Sequence, residues 1–194
     1  MNQSIFQRES AKYDALWQDG YRDANWPVLA SAVNRNVSTK GHSPSLIDFG
    51  FGRGNALAFF QNLGYDVTGV EISSFVVDSQ RQSGRRVYHA SLDDLGILKD
   101  NQFEIGFCND VLEHMPEEYV RKSLQEMARV CSAYLFISVC PKPAHRTSQD
   151  GENLHLTVKP KRWWKKLMCE LGDVTTLWPY LSRSGRYKVE LPAP

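Results

Sequence analysis

Residues 45–54 read Ser45-Leu46-Ile47-Asp48-Phe49-Gly50-Phe51-Gly52-Arg53-Gly54, a short apolar strand broken by one acid and then glycine at every second position. Glycines in that place let the backbone approach a ligand closely and turn sharply toward a following helix. The helix is predicted over 55–63, where Ala56, Leu57, Phe59, Phe60 and Leu63 are apolar and Gly64 is the stop. A strand, a glycine-rich loop and a helix in this order open a βαβ unit.

The alternation continues downstream. Asp66-Val67-Thr68-Gly69-Val70-Glu71-Ile72 is a second buried strand that ends in an acid, and Ser73 is placed to cap a helix over 74–82 that stops near Gly84. Residues 86–90 form a third strand and 103–108 a fourth, which runs into Asn109-Asp110-Val111-Leu112-Glu113-His114. An amphipathic helix is predicted over 117–129, and 133–139 is an almost wholly apolar fifth strand. Short apolar strands alternating with helices define the α/β doubly wound class, a parallel sheet covered on both faces.

Beyond this stretch the pattern weakens. Residues 141–153 read as a polar loop, 162–171 as a helix and 185–191 as a late strand. Upstream, the spacing of Phe6, Tyr13, Leu16 and Trp17 predicts one or two helices before Pro27, followed by a loop over 34–44. No repeat, low-complexity tract or linker intervenes. The chain of 194 residues is therefore expected to be one domain: a helical segment over 1–44, a core over 45–140 and a C-terminal part over 141–194.

Composition narrows the function classes. The chain is 42% hydrophobic, with 13 Gly and 9 Pro, which argues against disorder and collagen-like repeats. Lys and Arg total 23 against 22 Asp and Glu, a net charge of +1 and a smaller basic excess than phosphate-gripping proteins usually carry. Nucleic acid is therefore not the expected partner. Cys108, Cys131, Cys140 and Cys169 include no CxxC pair, so neither a zinc knuckle nor a disulfide framework is indicated. The N-terminus lacks the order of a signal peptide, and no apolar stretch approaches the ~20 residues of a membrane span. A cytoplasmic protein with no membrane partner is the expectation.

Glu71 gives the glycine loop its chemistry. A carboxylate at the end of the second strand can accept both hydroxyls of a ribose. The dinucleotide pattern G-x-G-x-x-G is not what stands here. Asp48-x-Gly50-x-Gly52-x-Gly54 instead resembles motif I of the class I S-adenosylmethionine-dependent methyltransferases, in which the acid and loop face the amino-acid moiety of the cofactor. Val70-Glu71-Ile72 is similar to that family's ribose-binding strand end, and Ser91-Leu92 stands where its adenine-contacting turn is found. Many relatives carry Asp before that turn, so Ser91 is a departure, and Asp93 is the alternative two residues on. Residues 103–114 look like motif IV and the turn after it.

The resemblance spans roughly 45–140 and implies a Rossmann-like, mostly parallel seven-stranded sheet. It implies that S-adenosylmethionine, with S-adenosylhomocysteine as product, is held by Asp48, Gly50, Gly52, Gly54, Glu71, Ile72, Ser91, Leu92 and Asn109. It also implies transfer of a methyl group to an oxygen or nitrogen of a small-molecule acceptor. The oligomeric state is left open.

Methyl transfer from a sulfonium is an in-line displacement, so much of the catalysis is positioning, and a base is needed only where the acceptor must lose a proton. Asp110 and His114 follow the fourth strand and His155 follows the fifth, at the end of the sheet where ligands bind; these are the candidate catalytic residues. The plainer readings are that Asp110 caps the helix starting near Pro116 and that Glu113 and His114 are solvated first-turn residues.

A sharper alternative is that Asp110-x-x-Glu113-His114 with His155 is similar to the metal-ligand set of small-RNA 3′-end 2′-O-methyltransferases, which holds Mg²⁺ or Mn²⁺. Asp stands there for the family's first Glu, and four ligands named from sequence rarely all converge, so no metal ligand is assigned. A non-catalytic cofactor-binding module is the remaining alternative.

Two further features have plain readings beside sharper ones. The basic run from Lys159 to Lys166 can bind an anionic surface, but Trp163, Trp164, Leu167, Met168 and Leu171 make it the start of an amphipathic helix with solvated lysines. Tyr13, Trp17, Tyr21 and Trp26 either close over the cofactor or are plain core.

Overall fold

The computed structural model describes residues 1, 3–21, 25–177 and 183–193. Two helices, α1 (Gln3–Gln18) and α2 (Trp26–Asn36), precede the first strand. The alternating core then runs β1 (Ser45–Phe49), α3 (Asn55–Asn62), β2 (Asp66–Glu71), α4 (Ser74–Gln82), β3 (Val87–His89), β4 (Phe103–Asn109), α5 (Glu117–Val130) and β5 (Cys131–Val139). It closes with α6 (Lys161–Met168), β6 (Asp173–Thr176) and β7 (Gly185–Glu190). The seven strands form one sheet in the order β3-β2-β1-β4-β5-β7-β6. Strands β1 to β5 are parallel, and β7 inserts antiparallel between β5 and β6. This is the Rossmann-like seven-stranded architecture expected from the sequence.

The chain leaves β1 for β2 on one side and reaches β4 on the other, so a crevice opens beyond the carboxyl ends of β1 and β4. Each face of the sheet carries its own core. On one face Val120, Leu124 and Met127 of α5 and Trp164 and Met168 of α6 pack on Ile47, Phe49 and Ile137. On the other, Leu29 and Val33 of α2, Leu57 and Phe60 of α3 and Val76 and Val77 of α4 pack on Leu46, Val67 and Phe136.

Several boundaries differ from the sequence reading. Pro27 does not follow the N-terminal helices but sits in the first turn of α2, where its missing N–H costs no hydrogen bond. That helix runs to Asn36, shortening the expected 34–44 loop. The edge strand β6 was not expected. Its four residues, Asp-Val-Thr-Thr, are half-buried or exposed and carry no apolar run. Strand β7 falls within the late strand expected at 185–191. The plain reading of the basic run holds: Trp164, Leu167 and Met168 are buried, while Arg162, Lys165 and Lys166 are exposed. Among the described residues no helix is long and apolar enough to cross a membrane.

Candidate active site

A cavity of about 230 Å³ lies at the carboxyl ends of β1, β2 and β4. Asp48, Gly50, Gly52, Glu71, Ile72, Ser91, Leu92, Asn109, Asp110 and His114 all line it, although they come from four separate stretches of chain. Gly54 and His155, named with them from the sequence, do not.

The glycine loop is shaped by space as well as by backbone angle. Gly50 has φ +76°, and a Cβ there would lie 2.5 Å from Val111 Cγ2. Gly54 also has positive φ but caps the start of α3, and a Cβ there would meet the Gln80 side chain of α4. Its role is helix packing. Phe51, between the glycines, lines the cavity and presses on Gly69, where a Cβ would lie 2.5 Å from its ring. A glycine inside a buried strand was the one signal of that approach.

Glu71 is held by backbone. Its Oε2 accepts from Gly52 N–H at 3.0 Å, and its Oε1 accepts from Ile72 N–H at 2.9 Å and Ser73 N–H at 3.0 Å. Burial pushes its pKa up, and those three bonds pull the other way. At the next turn, Ser91 Oγ donates to Asp93, which is fully buried and outside the cavity lining, so Ser91 and Leu92 are the residues presented. Asn109 turns a buried Oδ1 with no protein partner.

Helix α1 covers the cavity, fastened by a contact absent from the sequence reading. Asp14 accepts from Ser73 Oγ at 2.5 Å, Ser74 Oγ at 2.7 Å and Phe75 N–H at 3.0 Å, so it caps α4 across the fold. Burial alone would raise the Asp14 pKa, but these bonds outweigh it and hold the carboxyl below its ordinary value. Ser73, expected as the cap, accepts from Val76 N–H only at 3.5 Å. Arg53 of the glycine loop donates to the carbonyls of Trp17 at 2.6 Å and Tyr21 at 3.1 Å. Tyr13, Trp17, Tyr21 and Trp26 all line the cavity, and Trp17 belongs to the core as well. Both readings of the aromatics therefore apply.

At the opposite wall, two sequence readings need correction. Asp110 is not a helix cap: α5 begins after Pro116 with no side-chain cap. Its φ is +53°, a left-handed conformation that Asp tolerates, and its carboxylate accepts from Ser138 Oγ and, at 3.2 Å, from Asn25 Nδ2. Glu113 is not solvated but fully buried, because the short 3₁₀ turn Leu112–His114 points it inward. Its Oε1 accepts from Cys140 N–H at 2.7 Å, and burial pushes its pKa well up. His114 is half-buried, its ring edge-on to Tyr13 with centroids 6.0 Å apart and to His155 at 4.7 Å. Burial lowers its pKa to about 3, His155 and Lys12 adding to the effect, so the ring is neutral near pH 7.

Residues 47–134 match the model of the methyltransferase domain family. No curated protein sequence matches the chain. Among solved structures the fold is similar to that of 1,6-didemethyltoxoflavin-N1-methyltransferase from Burkholderia thailandensis, with bound 1,6-didemethyltoxoflavin and S-adenosylhomocysteine. The TM-score is 0.67 at 15% identity, over 97% of this chain and 86% of that one. It is similar to magnesium protoporphyrin IX methyltransferase from Synechocystis PCC 6803 with bound S-adenosylmethionine (TM-score 0.67, 16% identity, 96% and 97% coverage). A third is a sugar N-methyltransferase from Streptoalloteichus sp ATCC 53650 (TM-score 0.68, 15% identity, 94% and 93% coverage).

The chain thus matches the methyltransferase domain family over residues 47–134 and shares the fold of these three structures.

Proposed function

We propose that the whole chain works as one methyltransferase domain that transfers a methyl group to an oxygen or nitrogen of a small-molecule acceptor. The cofactor side is Asp48, Gly50, Gly52, Glu71, Ile72, Ser91, Leu92 and Asn109, with Gly54 setting the helix behind the loop. Glu71 takes the ribose hydroxyls, Ser91 and Leu92 meet the adenine, and the glycine loop with Asp48 meets the amino-acid end. Asp110 and His114 face the acceptor, and His155 backs His114 from outside the cavity.

The observation that carries the acceptor class is the makeup of the cavity lining. Tyr13, Trp17, Tyr21 and Trp26 line it together with the acids Glu9 and Asp110, a surface suited to a neutral or cationic ring-bearing molecule rather than to a phosphate chain. The printed acceptors of the similar structures support a small molecule and differ among themselves.

The test is transfer of label from methyl-tritiated S-adenosylmethionine to a panel of aromatic N-heterocycles, phenols and amino sugars, beside protein and RNA. Label entering one of the small molecules is expected. Incorporation confined to RNA or protein overturns the acceptor class.

A further inference from the structure

Behind the His114 wall, three side chains share a feature that the methyl-transfer reading does not use. Glu113, His114 and His155 each bring one ligand-capable atom to within 4.8 Å of the others. In Glu113 and His155 the remaining polar atom is tied to backbone. Glu113 Oε1 accepts from Cys140 N–H at 2.7 Å, and its Oε2 is buried with no protein partner. His155 Nδ1 lies 2.5 Å from the Lys142 carbonyl, which fixes a proton there and leaves the lone pair on Nε2.

His114 offers a free nitrogen as well: its Nδ1 is buried with no protein partner.

We propose that Glu113, His114 and His155 bind a single divalent transition-metal ion of the zinc and cobalt class. Two imidazoles, that of His155 with its second ring nitrogen donating to a carbonyl, plus one carboxylate make a three-ligand set with an open position. The two nitrogen ligands favour such an ion over Mg²⁺ or Ca²⁺, which take oxygen. Tetrahedral coordination at ~2.1 Å places ligand atoms about 3.4 Å apart, which small side-chain rotations reach from the present spacing.

The set differs from the four-residue one suggested by the sequence: Asp110 is turned away, toward Ser138 and Asn25. Of the three ligands only His114 also lines the cavity. The ion therefore sits in the wall facing the acceptor, where its open position can take an acceptor oxygen or nitrogen and orient it. This role rests on the proposed acceptor side, whereas the binding itself does not.

The test is calorimetric titration of chelator-treated full chain with ZnCl₂, CoCl₂ and MgCl₂, with the visible spectrum of the Co²⁺ form read alongside. S-adenosylhomocysteine binding is measured on the same samples. The expected result is one Zn²⁺ or Co²⁺ per chain, an intense Co²⁺ absorption of low coordination number, and Mg²⁺ at least a hundredfold weaker. His155→Ala, at a half-buried loop position, and Glu113→Gln each weaken Zn²⁺ binding at least tenfold, with S-adenosylhomocysteine affinity within twofold. Absence of saturable 1:1 binding, preference for Mg²⁺, or Zn²⁺ binding unchanged in His155→Ala overturns the proposal. Loss of S-adenosylhomocysteine binding by the unaltered chain counts against the cofactor-site assignment instead.

Discussion

Glu71 and Glu113 are both buried carboxyls at the carboxyl end of the sheet, yet the chain treats them differently. Glu71 has both oxygens met by three backbone amides, from Gly52, Ile72 and Ser73. Glu113 has one oxygen met by Cys140 N–H and the other bare, beside a His114 nitrogen that is equally bare. Buried polar atoms are normally satisfied, so an unpartnered pair of which one member lines the cavity marks where the fold leaves bonds for something else to make. Glu71 is braced by its own backbone before any ligand arrives, whereas Glu113 and His114 keep an atom each for a bound group to meet.

The contrast predicts that the two ends separate in experiment. The largest effect is expected for Glu71→Ala. Losing the two charge-assisted hydrogen bonds proposed for the ribose removes roughly 3 kcal/mol, about a hundredfold in the S-adenosylhomocysteine Kd by calorimetry. His114→Ala is expected to leave that Kd within about twofold while lowering kcat about a hundredfold, the range for removing a group that positions or activates the acceptor. Equal losses of cofactor affinity in the two variants would break the comparison.

Gly50→Ala sits where the ends meet. The added methyl collides with Val111 in a left-handed backbone, and about a tenfold loss of S-adenosylhomocysteine affinity is expected. Adding Val111→Ala relieves the collision but not the backbone strain, so only part of the loss should return.

The smallest effect concerns the clasp over both ends. Asp14→Ala removes the cap on α4 and should cost about 1 kcal/mol in urea unfolding at pH 7. The pKa of Asp14 is lower folded than the ordinary 3.8, so the folded state binds fewer protons and the carboxylate's contribution is present above pH 3.8. As pH falls through that value toward the depressed one, the contribution is lost. The gap between the parent and Asp14→Ala should therefore close in acid and stay constant from about pH 6 upward.

Legibility followed the same divide. The helix over 74–82 matches α4 residue for residue, because its start and stop are written in Ser73 and Gly84. Glu113 was the opposite case. One turn of 3₁₀ helix after β4 points its side chain under β5, and a Leu-Glu-His run reads as solvated unless the Cys140 amide that receives it is known. Asp14 lies 59 residues before the Ser73 hydroxyl it accepts from, and no local pattern joins them. Strand β6 had no pattern of its own, being half-exposed and defined only by its pairing with β7.

The sequence by itself determined the α/β alternation, the glycine loop after β1 and the acid that ends β2, because hydrophobic period, glycine and capping residues act over a few neighbours. Only the tertiary structure decided that α1 lies clasped over the cavity, that Asp110 lines the cavity while Glu113 is buried beside it, and that His114 meets His155. Those contacts join segments that are far apart in the chain. Burial and hydrogen-bond satisfaction set them, and both belong to the packed fold.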